Sequence, residues 1–230
     1  MMKKLQRIKD LGEFALFEGL EPQELSDLDT ITHTRFAPKG RLLYLPGDDS
    51  EAVFFLASGR VKISRLSDHG KELILEIVEP GAWFGETGVL GDKTRETVAE
   101  VLEASTIFAV PAKAFRATLR HNSTLLMKLT KSLGRRQQRL EKRLMDVAYK
   151  NAPQRLADLL LELSQNYGVR DSRGILLRIK LSQSALGNLL GVSREIVNHT
   201  FSELKRHGVI TVAEGRVIIQ DPEALAELAA

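Results

Sequence analysis

The sequence predicts an α+β chain in three parts: a β-rich first half forming an antiparallel barrel or double-sheet roll, one long helix, and a C-terminal helix-turn-helix with a β-hairpin wing. Three observations carry this expectation. Glycines at 40, 47, 59, 70 and 81 follow one another at gaps of 7, 12, 11 and 11 residues, a turn spacing that suits antiparallel strands rather than βαβ units. Residues 123–151 run without a proline and carry apolar side chains at alternating steps of 4 and 3, the pattern of a helical seam. Residues 181–206 read LSQSALGNLL, GVS, REIVNHTFSELKR, two amphipathic stretches about a three-residue turn.

Composition bounds the reading. With 230 residues, 43% of them hydrophobic, the chain can bury a core for one large or two modest domains. The absence of cysteine excludes disulfides, thiolate-held iron–sulfur clusters and cysteine zinc sites. There is no run of 18 apolar residues and no signal-peptide pattern, so the expectation is cytoplasmic residence and no membrane partner. The net charge of +3 hides a division: residues 13–118 sum to −7, residues 119–150 to +7, and residues 151–230 to zero. An acidic body joined to a basic helix points to a polyanion partner on one side.

In chain order, Met1 to Leu16 reads as a frayed or helical leader, and a short helix is expected from about Pro22 to Asp29, with the proline in its first turn. Short β-rich runs follow up to Pro111, then a short segment, AKAFRATLRHN. In the long helix, positions 126, 130, 133, 137, 140, 144 and 147 hold Leu, Thr, Leu, Gln, Leu, Leu and Val, a heptad seam with two polar interruptions able to set register. The basic residues on its other faces suggest that the seam meets a second copy. The alternative is a helix packed on its own barrel. The residues assigned to a dimer contact are Leu126, Leu129, Leu133, Gln137, Leu140, Leu144 and Val147. The helix should stop near Asn151 and Pro153. QRLADLLLELSQNYG then makes another helix, burying Leu156, Leu159, Leu160 and Leu163, and VRDSRGILLRIK reads as a loop plus a short strand. The expected division is residues 1–118, 119–151 and 152–230.

In the helix-turn-helix, Ser182 and Ser193 are good N-caps and Gly191 tolerates a left-handed stop. Ala185, Leu186, Leu189 and Leu190 share one face of the first helix, and Val197, Phe201 and Leu204 face inward from the second. Arg194, Glu195, Asn198, His199, Ser202 and Lys205 share the outer side, joined by Ser182, Gln183 and Ser193 as DNA-contacting candidates. Arg donates bidentately to guanine, Glu accepts from cytosine N4, and Asn pairs with adenine, so this face suits a major groove. The plain alternative is a helical hairpin with a solvated polar face. It loses ground because VITV, AEGR, VII reads as a hairpin around Gly215, the wing of a winged helix.

Taken together, the motifs resemble the cyclic-AMP receptor protein and FNR family of bacterial transcription regulators. They keep their order over nearly the whole chain: GD at 47–48, GRVK at 59–62, PG at 80–81, FGE at 84–86, Arg95, the long helix, and GVSRE at 191–195. The resemblance implies an N-terminal jelly roll able to hold a cyclic nucleotide, a homodimer through the long helix, and a winged helix reading a pseudopalindromic double-stranded operator, with RNA polymerase as a further partner. It places Gly85, Glu86, Thr87, Arg95, Glu96, Thr97, Leu140 and Glu141 at the effector pocket, with Gly85, Glu86 and Arg95 at phosphate and ribose positions. Arg194, Glu195 and His199 fall at base-reading positions.

The departures are informative. After the pocket arginine, cyclic-AMP-binding members carry a small hydroxyl residue, and here stands Glu96, whose carboxylate is expected to repel a phosphate at Arg95. The loop from Gly85 to Arg95 is one residue shorter than in the best-known member. A Thr-Ser pair that meets adenine in those members is replaced by Leu140 and Glu141, and His199 stands where an arginine is usual. The expectation is therefore a regulator without bound cofactor or metal, not gated by cyclic AMP, or gated by another nucleotide or a haem-bound gas, with His69 or His121 as an axial ligand. An enzyme is disfavoured: no GxSxG, HExxH or phosphate loop is present, and the histidines at 33, 69, 121, 199 and 207 lack metal-ligand spacing.

Overall fold

The computed structural model describes residues 11–230, which divide into two compact units between Gln137 and Gln138. In the first unit, helix α1 (Pro22–Ile31) precedes strands β1 (His33–Ala37), β2 (Leu42–Tyr44), β3 (Ala52–Leu66), β4 (Glu72–Val78) and β5 (Trp83–Phe84). A one-turn helix α2 (Thr87–Leu90), strand β6 (Val98–Pro111), helix α3 (Ala112–His121) and the long helix α4 (Ser123–Tyr149) follow. All pairings are antiparallel in the order β1-β6-β3-β4, with β2 on β6 and β5 on β3. The glycines at 40, 47, 59, 70 and 81 all adopt positive φ, as their spacing predicts. At Gly59 the need is double, because a Cβ there would stand 2.5 Å from the Ala104 carbonyl oxygen.

Alternation along the two long strands builds two cores. Phe54, Leu56, Ile107 and Ala109 face the inside of the roll with Tyr44, Val61, Val78 and Phe84. Val53, Phe55, Phe108 and Val110 face the helices. There Phe55 lies 4.7 Å from Phe17, 5.5 Å from Phe14 and 5.7 Å from Phe115, centroid to centroid. The described part of the expected leader is thus not frayed: Leu11, Phe14 and Leu16 are buried in this cluster, followed by Phe17. The Lys128 ammonium holds the same segment by donating to the carbonyls of Ala15 and Glu18. The rest of the leader, before Leu11, lies outside the described residues.

Over its first turns helix α4 packs on its own roll, the alternative reading of the long helix. Asn122 Oδ1 caps it by accepting from the Leu125 N–H at 2.8 Å. Leu125 and Leu129 face the aromatic cluster, and Leu133 packs against it half-buried. Leu129, 3% exposed, is therefore a core residue and not part of an outward seam. It falls in the stripe 125, 129, 133, whose steps of four point one way round the helix, while 126 and 130 turn about 100° from it. Leu126, Gln137, Leu140, Leu144 and Val147 are exposed.

The second unit holds the end of α4, helix α5 (Ala152–Tyr167), strands β7 (Gly168–Asp171) and β8 (Gly174–Leu177), helices α6 (Gln183–Leu190) and α7 (Arg194–Arg206), strands β9 (Ile210–Ala213) and β10 (Arg216–Ile219), and helix α8 (Pro222–Ala229). The stop near Asn151 arises as expected: Asn151 and Gln154 form a capping box, with Pro153 in the first turn of α5. The segment read as a loop plus strand is instead a hairpin, β7–β8, and it extends the wing into a four-stranded sheet, β7-β8-β10-β9. Its Ser172–Arg173 turn lacks the Asn-Gly signal, but Gly174, at φ +130°, was the available clue. Helix α8 was not read from the sequence; Leu225 and Ala229 bury it, and Asp221 caps it on the Ala224 N–H at 2.9 Å.

Candidate functional site

The helix-turn-helix forms from local chemistry. Ser182 Oγ accepts from the Ala185 N–H at 3.1 Å and Ser193 Oγ from the Ile196 N–H at 3.4 Å, so both serines cap. Gly191 takes the left-handed conformation at φ +67°. Gly187 lets the turn close, since a Cβ there would sit 2.7 Å from the Val192 carbonyl oxygen. Val197, Thr200, Phe201 and Leu204 are buried, whereas Arg194, Glu195, Asn198, His199, Ser202 and Lys205 are all exposed. The six groups predicted for the outer face of α7 thus come together on one solvent-facing stripe.

Two details sharpen the chemistry of that stripe. Gln183 Nε2 donates to Asn198 Oδ1 at 3.3 Å, joining the two helices and leaving the Asn198 amide hydrogens outward. The Glu195 carboxyl is held below the usual carboxylate range by its own backbone N–H, then by Ser193 and by Arg194. It is therefore ionised at neutral pH, the state in which it accepts from cytosine N4. In the wing, Glu214 at φ +52° and Gly215 at φ +73° make the tight turn joining β9 to β10.

Of the residues named for an effector pocket, Gly85 and Thr87 meet Arg95, and Thr97 meets Tyr44 beside it. Arg95 is 3% exposed. Its Nη1 donates to the Gly85 carbonyl at 3.0 Å and to Thr87 Oγ1 at 2.8 Å, and its Nη2 to the Ala52 carbonyl. The guanidinium lies 4.6 Å from the Tyr44 ring centroid and 5.6 Å from that of Phe54, a cation against aromatic faces. Burial lowers the Arg95 pKa and pushes the Tyr44 phenol up to about 12, with the Thr97 hydrogen bond opposing the latter. Nε of Arg95 is buried with no acceptor among the described residues. Gly85 is required here: at φ +83°, a Cβ would stand 3.0 Å from Arg95 Nη1 and 3.1 Å from Phe54.

Glu96 does not stand beside Arg95's charge. The extended backbone is pinned by Arg95 N–H to the Asp48 carbonyl at 2.8 Å and by Gly47 N–H to the Arg95 carbonyl at 2.9 Å, which sends neighbouring side chains to opposite sides. The Glu96 side chain is 66% exposed and pairs with Arg65 at 2.7 Å. The Glu96 carboxylate is thus turned away from Arg95, against the expectation that it repels a phosphate there. Glu96→Ser is accordingly expected to change affinity for an anionic ligand less than about threefold, because an exposed, paired charge is screened; a titration of both proteins checks it.

Glu86 faces Arg136 of α4 instead. The Arg136 guanidinium approaches Glu86 and Glu76 at 3.4 Å each, donates to the Trp83 carbonyl, and lies 4.5 Å from the Trp83 ring centroid. Trp83 Nε1 in turn donates to Ser132 Oγ at 3.0 Å. Tyr44, Phe54, Trp83 and Arg136 were not singled out from the sequence, since one arginine in a run of basic residues carries no sign of which acid it meets. Leu140 and Glu141 lie on α4 in the second unit, both exposed. His69 is exposed in the turn between β3 and β4, and His121 is exposed at the end of α3. Neither is among the groups around Arg95. Among the described residues no cluster of three or more His, Asp and Glu is placed to hold a metal, and no helix is long and apolar enough to cross a membrane.

Comparison with known proteins assigns a domain type to each of the two regions. Residues 34–122 match the cyclic nucleotide-binding domain and residues 154–228 the Crp-like helix-turn-helix domain. The chain is 27% identical over 219 residues to a CRP-like cAMP-activated global transcriptional regulator of Mycobacterium tuberculosis, covering 95% of this chain and 98% of that one. It is 29% identical over 214 residues to the cyclic AMP receptor protein of Thermus thermophilus, covering 93% and 96%. The crystal structure of a CRP/FNR-family transcriptional regulator from Thermus thermophilus superposes with a TM-score of 0.71 at 26% identity, covering 86% of this chain and 98% of that one. With a cyclic-nucleotide-type roll, a capped helix-turn-helix and these likenesses along its length, the chain belongs to the CRP/FNR family of DNA-binding transcription regulators.

Proposed function

We propose that this chain works as a homodimer that reads a pseudopalindromic operator and is not switched by cyclic AMP. The proposed division of labour is the expected one, with an effector-type roll within 1–118, a dimer helix in 119–151 and the DNA-binding part in 152–230. Ser182, Gln183, Ser193, Arg194, Glu195, Asn198, His199, Ser202 and Lys205 contact DNA, with Arg194, Glu195 and His199 at base edges and Lys205 at a phosphate. Its partners are double-stranded DNA, a second copy of itself and RNA polymerase, the last by its family's role.

The observation that carries the effector reading is the state of Arg95, whose Nη groups are engaged by Gly85, Thr87 and Ala52 within the roll. A cyclic nucleotide, the ligand of the matched domain type, fits these residues only at its phosphate end. Leu140 and Glu141 supply no hydroxyls for an adenine. Saturating cyclic AMP is thus expected to leave operator affinity unchanged, measured by calorimetry on the protein and by DNA binding with and without nucleotide. A micromolar dissociation constant accompanied by tighter operator binding overturns this.

One observation favours a second reading, gating by another ligand. The Arg95 Nε–H is buried without an acceptor among the described residues, and a buried donor left unmade costs about 1–3 kcal/mol. An anionic group reaching that edge, on a molecule that uses other contacts elsewhere, satisfies it. A haem group has less support, given the exposed positions of His69 and His121; an absorbance spectrum without a Soret band is the expected result.

A further inference from the structure

The junction between α4 and α5 is two residues long, and both are tied down. Asn151 is held by its capping box, with Asn151 Oδ1 accepting from the Gln154 N–H at 3.0 Å and Gln154 Oε1 accepting from the Asn151 N–H at 3.0 Å. The Lys150 N–H prolongs α4 by donating to the Asp146 carbonyl at 2.9 Å. Its ammonium then leaves the helix and bridges two others: Nζ donates to Asp158 Oδ2 of α5 at 2.5 Å and to the Ala229 carbonyl at the end of α8 at 2.6 Å. The carbonyls at a helix C-terminus have no partners within the helix and carry the negative end of its dipole, so a cation is well placed there. Lys150 and Asp158 are both about a quarter exposed, at 26% and 27% of their side-chain surface, so the pair is partly shielded from water. Asp158 raises the lysine's pKa, and the ammonium keeps its charge throughout the neutral range.

A single side chain therefore joins the end of α4, the second turn of α5 and the C-terminus of α8. Without it, the backbone dihedrals at Lys150 and Asn151 are the only covalent restraint on the angle between α4 and α5. In a dimer that angle matters. Changing the spacer between half-sites by one base pair asks the two recognition helices to shift relative to each other by about 3.4 Å along the DNA, which a loose junction absorbs and a clamped one resists.

We propose that Lys150 is a positioning residue for operator recognition, clamping α4 to α5 and α8 and thereby setting the half-site spacing that the dimer accepts. This rests on the dimeric operator reading above. The test uses the full chain and an operator selected by the wild-type protein from a random DNA pool, remade with its spacer lengthened or shortened by one and two base pairs, together with a single half-site. Wild type is expected to prefer one spacing sharply. Lys150→Met keeps the alkyl stem and removes the ammonium; it should reduce that preference about tenfold, the size of one lost charge-assisted bond, while half-site affinity stays unchanged. Lys150→Arg should retain most of the preference. Asp158→Asn should weaken it in the same direction, and it remains informative if Lys150→Met folds poorly. Lys150→Met and Asp158→Asn proteins that discriminate spacing as wild type does overturn the clamp. A wild type indifferent to spacing, or bound as a monomer, overturns the dimeric reading itself and the clamp with it.

Discussion

Replacing Leu140 and Leu144 together with lysine is expected to yield a monomer whose affinity for the full operator falls by more than about a hundredfold, the usual scale of avidity lost when two linked sites become one. Both positions lie on α4 past the turns that pack on the roll, and Leu144 is 69% exposed. The substitutions therefore leave each copy's own fold intact. In a parallel seam, however, they bring four ammonium groups together in an apolar contact, and unpaired buried charge costs several kcal/mol. Sedimentation of wild type and variant at micromolar concentration, with a helical spectrum as the control for folding, measures the effect. A monomeric wild type, or a variant that still dimerises, contradicts the assignment. Leu129 and Leu133 are poor choices for the same test, because they pack on the aromatic cluster around Phe55. Leu129→Ala is expected to cost about 2–5 kcal/mol of stability whatever the oligomeric state.

Arg194→Ala is expected to weaken specific binding by about 1–3 kcal/mol per half-site, and so roughly twice that over a two-fold operator. The loss should be confined to one base pair in each half, where preference for guanine disappears. The reason lies in the position of the side chain: it is the first residue of α7, exposed, on the end of the helix proposed to enter a major groove. Lys205→Ala supplies the contrast. As a phosphate contact on the last turn it should weaken binding to all sequences alike and reduce the salt slope by about one. Competition against a set of operators with single base changes separates the two. An Arg194→Ala protein with full preference at every position refutes the base-reading role. His199 is shorter than the usual arginine, so the base pair it faces should show the weakest preference in the half-site.

What the sequence legibly determined is what short stretches decide among themselves. Ser182, Ser193 and Gly191 cap and stop helices through bonds that span three or four residues. The heptad steps follow from helical period, and the positive-φ glycines of the roll follow from turn chemistry. The helix stop at Asn151 and Pro153 comes from a capping box contained in four residues. None of these needs a partner from elsewhere in the chain, which is why the helix-turn-helix and its outward polar stripe were readable in advance.

The tertiary structure alone decided which distant group each side chain meets. Arg95 donates to Ala52, 43 residues away, and to Gly85, while Glu96 pairs with Arg65. Adjacent charges in the sequence thus came apart because extended backbone sends them to opposite sides of a wall. Leu129 turned inward for a similar reason: the apolar cluster of Phe14, Phe17, Phe55 and Phe115 lies on that side of α4, and burial against it decides which of two adjacent leucine stripes faces the core. The β7–β8 hairpin and α8 likewise depend on β10 and α5 for their partners. Periodicity and capping are sums over neighbours in sequence, whereas partner choice is set by burial and hydrogen bonding among groups that only the folded chain brings within reach.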